Sequence, residues 1–106
     1  MKARVHLSGD AEVDFEELDA TKRRKLQWWV ARLAEDVTVG DHIRRELIPE
    51  KLRRKYDIEN LWRLELPGGW RALYSILTSP HHPLTVSIVR IVDHKEYDRM
   101  FGYHSS

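Results

Sequence analysis

The chemically capable side chains of this chain gather around one short stretch, Leu61 to Tyr74, which reads LWRLELPGGWRALY. Arg63, Glu65 and Arg71 alternate there with large apolar residues, so a strand pair would carry the charges on one face and the apolar side chains on the other. Just upstream, Lys51, Arg53, Arg54 and Lys55 place four positive charges in five positions. Such a cluster reads either as a contact for a polyanion or as a solvated helix face. Downstream, Asp93-His94-Lys95-Glu96 fits a capping box that opens a last helix. Its first backbone N–H groups and His94 would then face the edge of the sheet, where helix starts favour phosphate. Tyr97 and Phe101, four apart on that helix, read first as a packed pair.

Positioning these groups falls to a hairpin. With Pro67, Gly68 and Gly69 as a three-residue loop, Leu66 lies opposite Trp70, Leu64 opposite Ala72 and Trp62 opposite Tyr74, all on one face. The other face then pairs Glu65 with Arg71 and Arg63 with Leu73. A two-residue loop would oppose Leu66 to Arg71, which argues against it. Glu65 opposite Arg71 also reads as a simple cross-strand ion pair, which contributes roughly 0 to 1 kcal/mol when exposed.

The remaining elements follow from patterning. Ala3 to Leu7 alternates as a short strand that ends at the turn residues Ser8-Gly9-Asp10, and Asp10 to Leu18 has helical spacing. Asp19-Ala20-Thr21 offers a break and a cap before a second helix from about Thr21 to Glu35, with Leu26, Trp29, Val30, Leu33 and Ala34 on its apolar stripe. Lys22, Arg23, Arg24 and Lys25 crowd its first turn against the helix dipole, either to meet a partner or as a solvated end. Asp41 is expected to cap a short helix carrying Ile43 and Leu47, and Pro49 to open another. Leu84 to Val92 is a β-branched strand expected in the interior of the sheet. Arg90 shares parity with Val86 and Ile88 there, so a bulge must turn it outward or a carboxylate must pair it.

Helices collected ahead of antiparallel strands indicate an α+β layer fold, in which an N-terminal strand and three C-terminal strands form a small antiparallel sheet packed by two N-terminal helices, with a short C-terminal helix. At 106 residues, one domain spanning 1–106 is expected. There is no cysteine, which excludes disulfides and thiolate metal sites and suits a reducing cytoplasm. No apolar run reaches the roughly 18 residues that span a bilayer, and no signal-peptide pattern precedes the first strand. His81-His82, between two prolines, lack further ligands at metal-binding spacing. Net charge is +1, but residues 1 to 20 hold two basic and six acidic side chains while residues 21 to 60 hold eleven and seven. Segregation of this kind can build an anion-binding surface on a nearly neutral chain.

The element order, the strand Gly69-Trp70-Arg71-Ala72-Leu73-Tyr74 and the segment Asp93-His94-Lys95-Glu96-Tyr97 together resemble the RelE/ParE superfamily of toxins from type II toxin-antitoxin systems. The resemblance covers nearly the whole chain. It implies a cytoplasmic protein neutralised by a cognate antitoxin, with no cofactor, no metal and no membrane partner. In the RelE kind it implies cleavage of mRNA on the ribosome, with the ribose 2′-hydroxyl as nucleophile and a cyclic phosphate and a free 5′-hydroxyl as products. Arg71 then occupies the family's strand arginine, and Arg63 a basic strand position; both would stabilise the phosphate. Glu65 stands where some members carry lysine, which suits a carboxylate–histidine variant with Glu65 as general base and His94 as general acid. Lys95 would add charge, Tyr97 would stack on a base or orient the phosphate, and Lys51, Arg53, Arg54 and Lys55 would hold RNA backbone. The resemblance also admits a noncatalytic gyrase inhibitor of the ParE kind, or an inactive member that only binds an antitoxin and DNA with it.

Overall fold

The computed structural model describes residues 2–81 and 84–102; His82 of the His81-His82 pair lies outside them. β1 (Arg4–Leu7) leads into α1 (Gly9–Glu16) and α2 (Ala20–Glu35), then β2 (Asp41–Ile43), a 3-10 turn at Arg45–Leu47 and α3 (Glu50–Tyr56). The hairpin of β3 (Leu61–Glu65) and β4 (Arg71–Leu77) follows, then β5 (Thr85–Val92) and α4 (His94–Phe101). The sheet runs β1-β5-β4-β3-β2. β1 lies parallel to β5 and every other pair is antiparallel.

Local chemistry sets the helix starts. The Ser8 hydroxyl accepts from the Ala11 N–H at 3.1 Å to open α1, and Asp19 accepts from the Lys22 N–H at 2.9 Å to open α2. Asp93 caps α4 through the Glu96 N–H at 2.8 Å. Only half of the expected box forms, since the Glu96 carboxylate turns to Arg99 instead. Gly102, at φ 72°, closes α4 in the left-handed conformation that glycine adopts without strain. The cationic first turn of α2 has structural employment as well. Arg23 donates to the Phe15 and Glu16 carbonyls and so caps the end of α1, while Lys22 pairs with Asp19 at 2.7 Å.

The hairpin has the expected register, with Trp62 opposite Tyr74, Leu64 opposite Ala72 and Glu65 opposite Arg71. The Leu66 N–H donates to the Trp70 carbonyl at 2.8 Å to close the loop, in which Gly68 and Gly69 sit at φ 75° and 79°. Leu64, Ala72, Tyr74, Val86 and Ile88 face α1 and α2 and pack on Leu26 and Leu33. Trp62 and Trp70, half-buried, pack at the edge of that core. The opposite face is covered as well: Leu61, Leu73, Val89 and Val92 pack with Ile43, Leu52 and Tyr97 under α3 and α4. Each fully buried side chain of this size contributes about 1.5–3 kcal/mol, so burial on both faces fixes β4 and β5 in place.

Two departures from the patterning matter for the site. Asp41–Ile43 is not helical; it is a fifth, edge strand paired antiparallel with Leu61–Arg63. Three residues are too few to show alternation, and the strand is held by tertiary contacts instead. The Tyr74 hydroxyl accepts from the Gly40 N–H at 3.1 Å and donates to the Val37 carbonyl at 2.8 Å. Burial pushes the Tyr74 phenol up to about 12. On β5, the ladder slips between Leu73 and Tyr74, so that Arg90 sits opposite Leu73 and Ile88 opposite Tyr74. This bulge returns Ile91, rather than Arg90, to the face shared by Val86 and Ile88. Asp14 of α1 pins it, accepting from Arg90 Nε and from the Ile91 N–H, each at 2.8 Å. Both expectations for Arg90, a bulge and a paired carboxylate, hold together.

Candidate active site on the strand arginines

Register places Arg63 on β3 and Arg71 on β4 on the face that α4 covers, and Glu65 lies between them. The Glu65 carboxylate lies 3.1 Å from Arg63 Nε and 3.5 Å from Arg71 Nε. Neither approach is aligned as a hydrogen bond. Arg63 Nε, Arg71 Nε and Arg71 Nη1 are buried without a hydrogen-bond partner. Buried charge-bearing donors left in this state are costly, and they are satisfied when an anion supplies the missing acceptors.

Tyr97 holds the arginines in place. Buried on α4 and stacked on Phe101 at 4.3 Å, it is the packed pair expected from the spacing. Its hydroxyl accepts from Arg63 Nη1 at 3.1 Å, and its ring lies 4.5 Å from the Arg71 guanidinium carbon, which stacks on it. Asp41 completes the set, accepting from Arg63 Nη2 at 3.4 Å. Burial works against the Arg63 charge, but the Tyr97 hydrogen bond and the neighbouring Glu65 and Asp41 outweigh it and hold its pKa above that of a free arginine. Arg63 therefore keeps one buried nitrogen without a hydrogen bond, whereas Arg71 keeps two.

His94 stands beside this group, at the loop end of the hairpin. It is the first residue of α4, and its exposed imidazole packs on Gly69, where an added Cβ would lie 3.6 Å from Nδ1. The pairing of Arg71 with Val92 brings the strand arginine and the start of α4 to the same end of the sheet. Lys95 is exposed on the next position and makes no ion pair among the described residues.

The α3 cluster is arranged differently. Glu50 binds both Arg53 and Arg54, at 3.1 and 2.9 Å, and Lys55 pairs with Asp10 at 3.1 Å. Asp10 also accepts from the Tyr56 hydroxyl at 2.5 Å. Lys51 and Lys55 line a groove of about 620 Å³ between α3 and α4, away from the hairpin loop. Of the sequence candidates, Arg63, Glu65, Arg71 and Tyr97 converge, His94 flanks them, and the densest basic run is partly offset by Glu50 and Asp10. Asp41 was not foreseen, because its role depends on the edge strand that three residues could not announce.

Solved structures with the same arrangement of elements exist. The chain superposes on the E. coli toxin RelE, a mutant in the free state, with a TM-score of 0.66 over 97% of this chain and 94% of that one, at 13% identity. The fold is that of the RelE toxins. The RelBE2 toxin–antitoxin complex of Mycobacterium tuberculosis matches at TM-score 0.60 and 21% identity, covering 88% of this chain and 99% of its counterpart. The archaeal RelE–RelB complex of Pyrococcus horikoshii OT3 matches at 0.58 and 17%, covering 89% and 97%. No protein-family model and no curated protein matches the sequence. In this chain the strand arginine Arg71 and the start of α4 occupy one end of the sheet, as described above. Among the described residues no helix is long and apolar enough to cross a membrane.

Proposed function

We propose that this chain is the toxin of a toxin–antitoxin pair and acts as an endoribonuclease on mRNA at the ribosome, with the strand arginines as its phosphate site. The observation that carries the reading is the set of three buried guanidinium nitrogens around Glu65 that have no hydrogen-bond partner. The scissile phosphate would take these donors, and they would strengthen as charge develops on its equatorial oxygens. Glu65 accepts the 2′-hydroxyl proton, the 2′-oxygen bonds to phosphorus, and the bond to the 5′-oxygen breaks. His94 delivers a proton to that leaving oxygen, so the products are a 2′,3′-cyclic phosphate and a 5′-hydroxyl. Tyr97 orients both arginines, and Lys95 adds charge at the entrance. Likeness to toxins solved with their antitoxins supports a cognate antitoxin as the partner.

The test is cleavage of free mRNA and of programmed ribosomes by wild type, Arg71→Ala and His94→Ala, with mapped 5′ ends and chemical analysis of the termini. Ribosome-dependent cuts with cyclic phosphate ends, lost in both variants, are expected. A folded wild type that cuts neither substrate would end this reading and favour a noncatalytic inhibitor of the gyrase-binding kind.

A further inference from the structure

The densest cationic run in the sequence is partly offset by Glu50 and Asp10, while a sparser one on α2 has no ion pair among the described residues. Trp28 is 43% exposed on the solvent side of α2. Lys25 Nζ lies 3.8 Å and the Arg32 guanidinium 4.0 Å from its ring centre. Arg24 is exposed beside them. The described ion pairs include none of Arg24, Lys25 and Arg32, and the nearby Glu35 and Asp36 are engaged by Lys2 and Thr38. Core packing does not require the indole there, since Leu26, Trp29, Val30 and Leu33 face the sheet. Its neighbour Trp29 meets it edge-on at 4.9 Å and donates to the Glu65 carbonyl at 2.9 Å, so the patch adjoins the strand that carries the site.

We infer that the Lys25–Trp28–Arg32 face of α2 is a docking surface for single-stranded RNA. A flat π face between unpaired cations suits a base, which stacks on indole or on a guanidinium, with phosphates on either side. Lys25 and Arg32 are long enough to leave the ring for the phosphates and expose it to the base. An acidic peptide would use the two charges but not the ring face, which is why RNA is the occupant the geometry favours. The inference deepens the proposed function by naming where RNA flanking the cut is held, and it rests on that reading only for the nature of the RNA.

The experiment measures binding of a fluorescein-labelled 12-nucleotide RNA by anisotropy, with Arg71→Ala as the parent chain so that no cleavage intervenes. Adding Trp28→Ala is expected to weaken binding roughly 5- to 100-fold, the effect of one stacked base, while Trp28→Phe retains most of it. Adding Lys25→Gln with Arg32→Gln is expected to lower the slope of log Kd against log salt by about 1.4, at about 0.7 per cation on a single strand. Removing Lys51 and Arg54 together is expected to weaken binding less than removing the α2 pair. Each variant is checked for an unchanged melting curve. Binding and salt slope within twofold of the parent in the α2 variants would overturn the inference, as would equal affinity for a 12-residue poly-glutamate. Cleavage by wild type with no Trp28 effect leaves the active-site reading standing and removes this one; a Trp28 effect without cleavage does the reverse.

Discussion

Arg71 and Arg63 are not equivalent, and the structure orders their contributions. Arg71 keeps two buried nitrogens without a hydrogen-bond partner, Nε and Nη1, whereas Arg63 keeps only Nε, its terminal nitrogens donating to Tyr97 and Asp41. A hydrogen bond to a charged group contributes about 1.5–3 kcal/mol, so two of them formed in the transition state amount to roughly 3–6 kcal/mol for Arg71. At about 1.4 kcal/mol per decade, Arg71→Ala should slow cleavage by roughly 10² to 10⁴, and Arg63→Ala by roughly 10 to 150. Stability should run in the opposite order. Arg63→Ala removes a hydrogen bond to the buried Tyr97 hydroxyl and the side-chain tie from β3 to Asp41, whereas Arg71→Ala removes chiefly a stack on Tyr97. The assay is single-turnover cleavage of a programmed-ribosome substrate, alongside urea denaturation of the same preparations. If Arg63→Ala slowed cleavage as much as Arg71→Ala while remaining the less stable, the assignment of free donors to the phosphate would be wrong.

Four further outcomes follow from the fold. Asp14→Ala strips the acceptor from a part-buried Arg90 and from the Ile91 N–H at the bulge, so unfolding free energy should drop by about 2–4 kcal/mol in urea melts; a change under about 0.5 kcal/mol would show that the bulge needs no pin. Gly40→Ala would set a Cβ 2.8 Å from the Arg63 carbonyl and 2.7 Å from the Tyr74 hydroxyl, and should cost about 1–3 kcal/mol or more. Gly9→Ala, at a helical position with open space, should instead stabilise by up to about 1 kcal/mol in the same urea melts. Finally, hydrogen bonds from Tyr56 and Lys55 hold Asp10 below its ordinary 3.8, bonds from Lys22 do the same for Asp19, and Arg99 holds Glu96 below 4.5. A depressed native pKa means that the unfolded chain takes up protons first, so this stability is complete above about pH 5 and is lost as pH falls through the depressed native values. The melting temperature should be flat from pH 7 to 5 and decline below 4, and a decline that began above pH 6 would implicate the histidines instead.

What could be read from the chain alone is what short-range physics controls. Alternation with period two and a Pro-Gly-Gly loop determine the hairpin register, because a slip of one residue would turn every apolar side chain of β3 to the wrong face. The capping residues at Asp19 and Asp93 act within three positions of themselves. Folding decided the rest through partners far apart in sequence. Asp10 meets Tyr56 across 46 residues and draws Lys55 out of the basic cluster, which no local count of charges registers. Asp41 reaches Arg63 only because Tyr74 holds Gly40 against the hairpin. Trp28 falls off the apolar stripe of α2, and Lys25 and Arg32, three before and four after it, were a signal already present in the spacing. That those cations stay unpaired depends on where every carboxylate of the folded chain has gone, and helical periodicity carries no information about that.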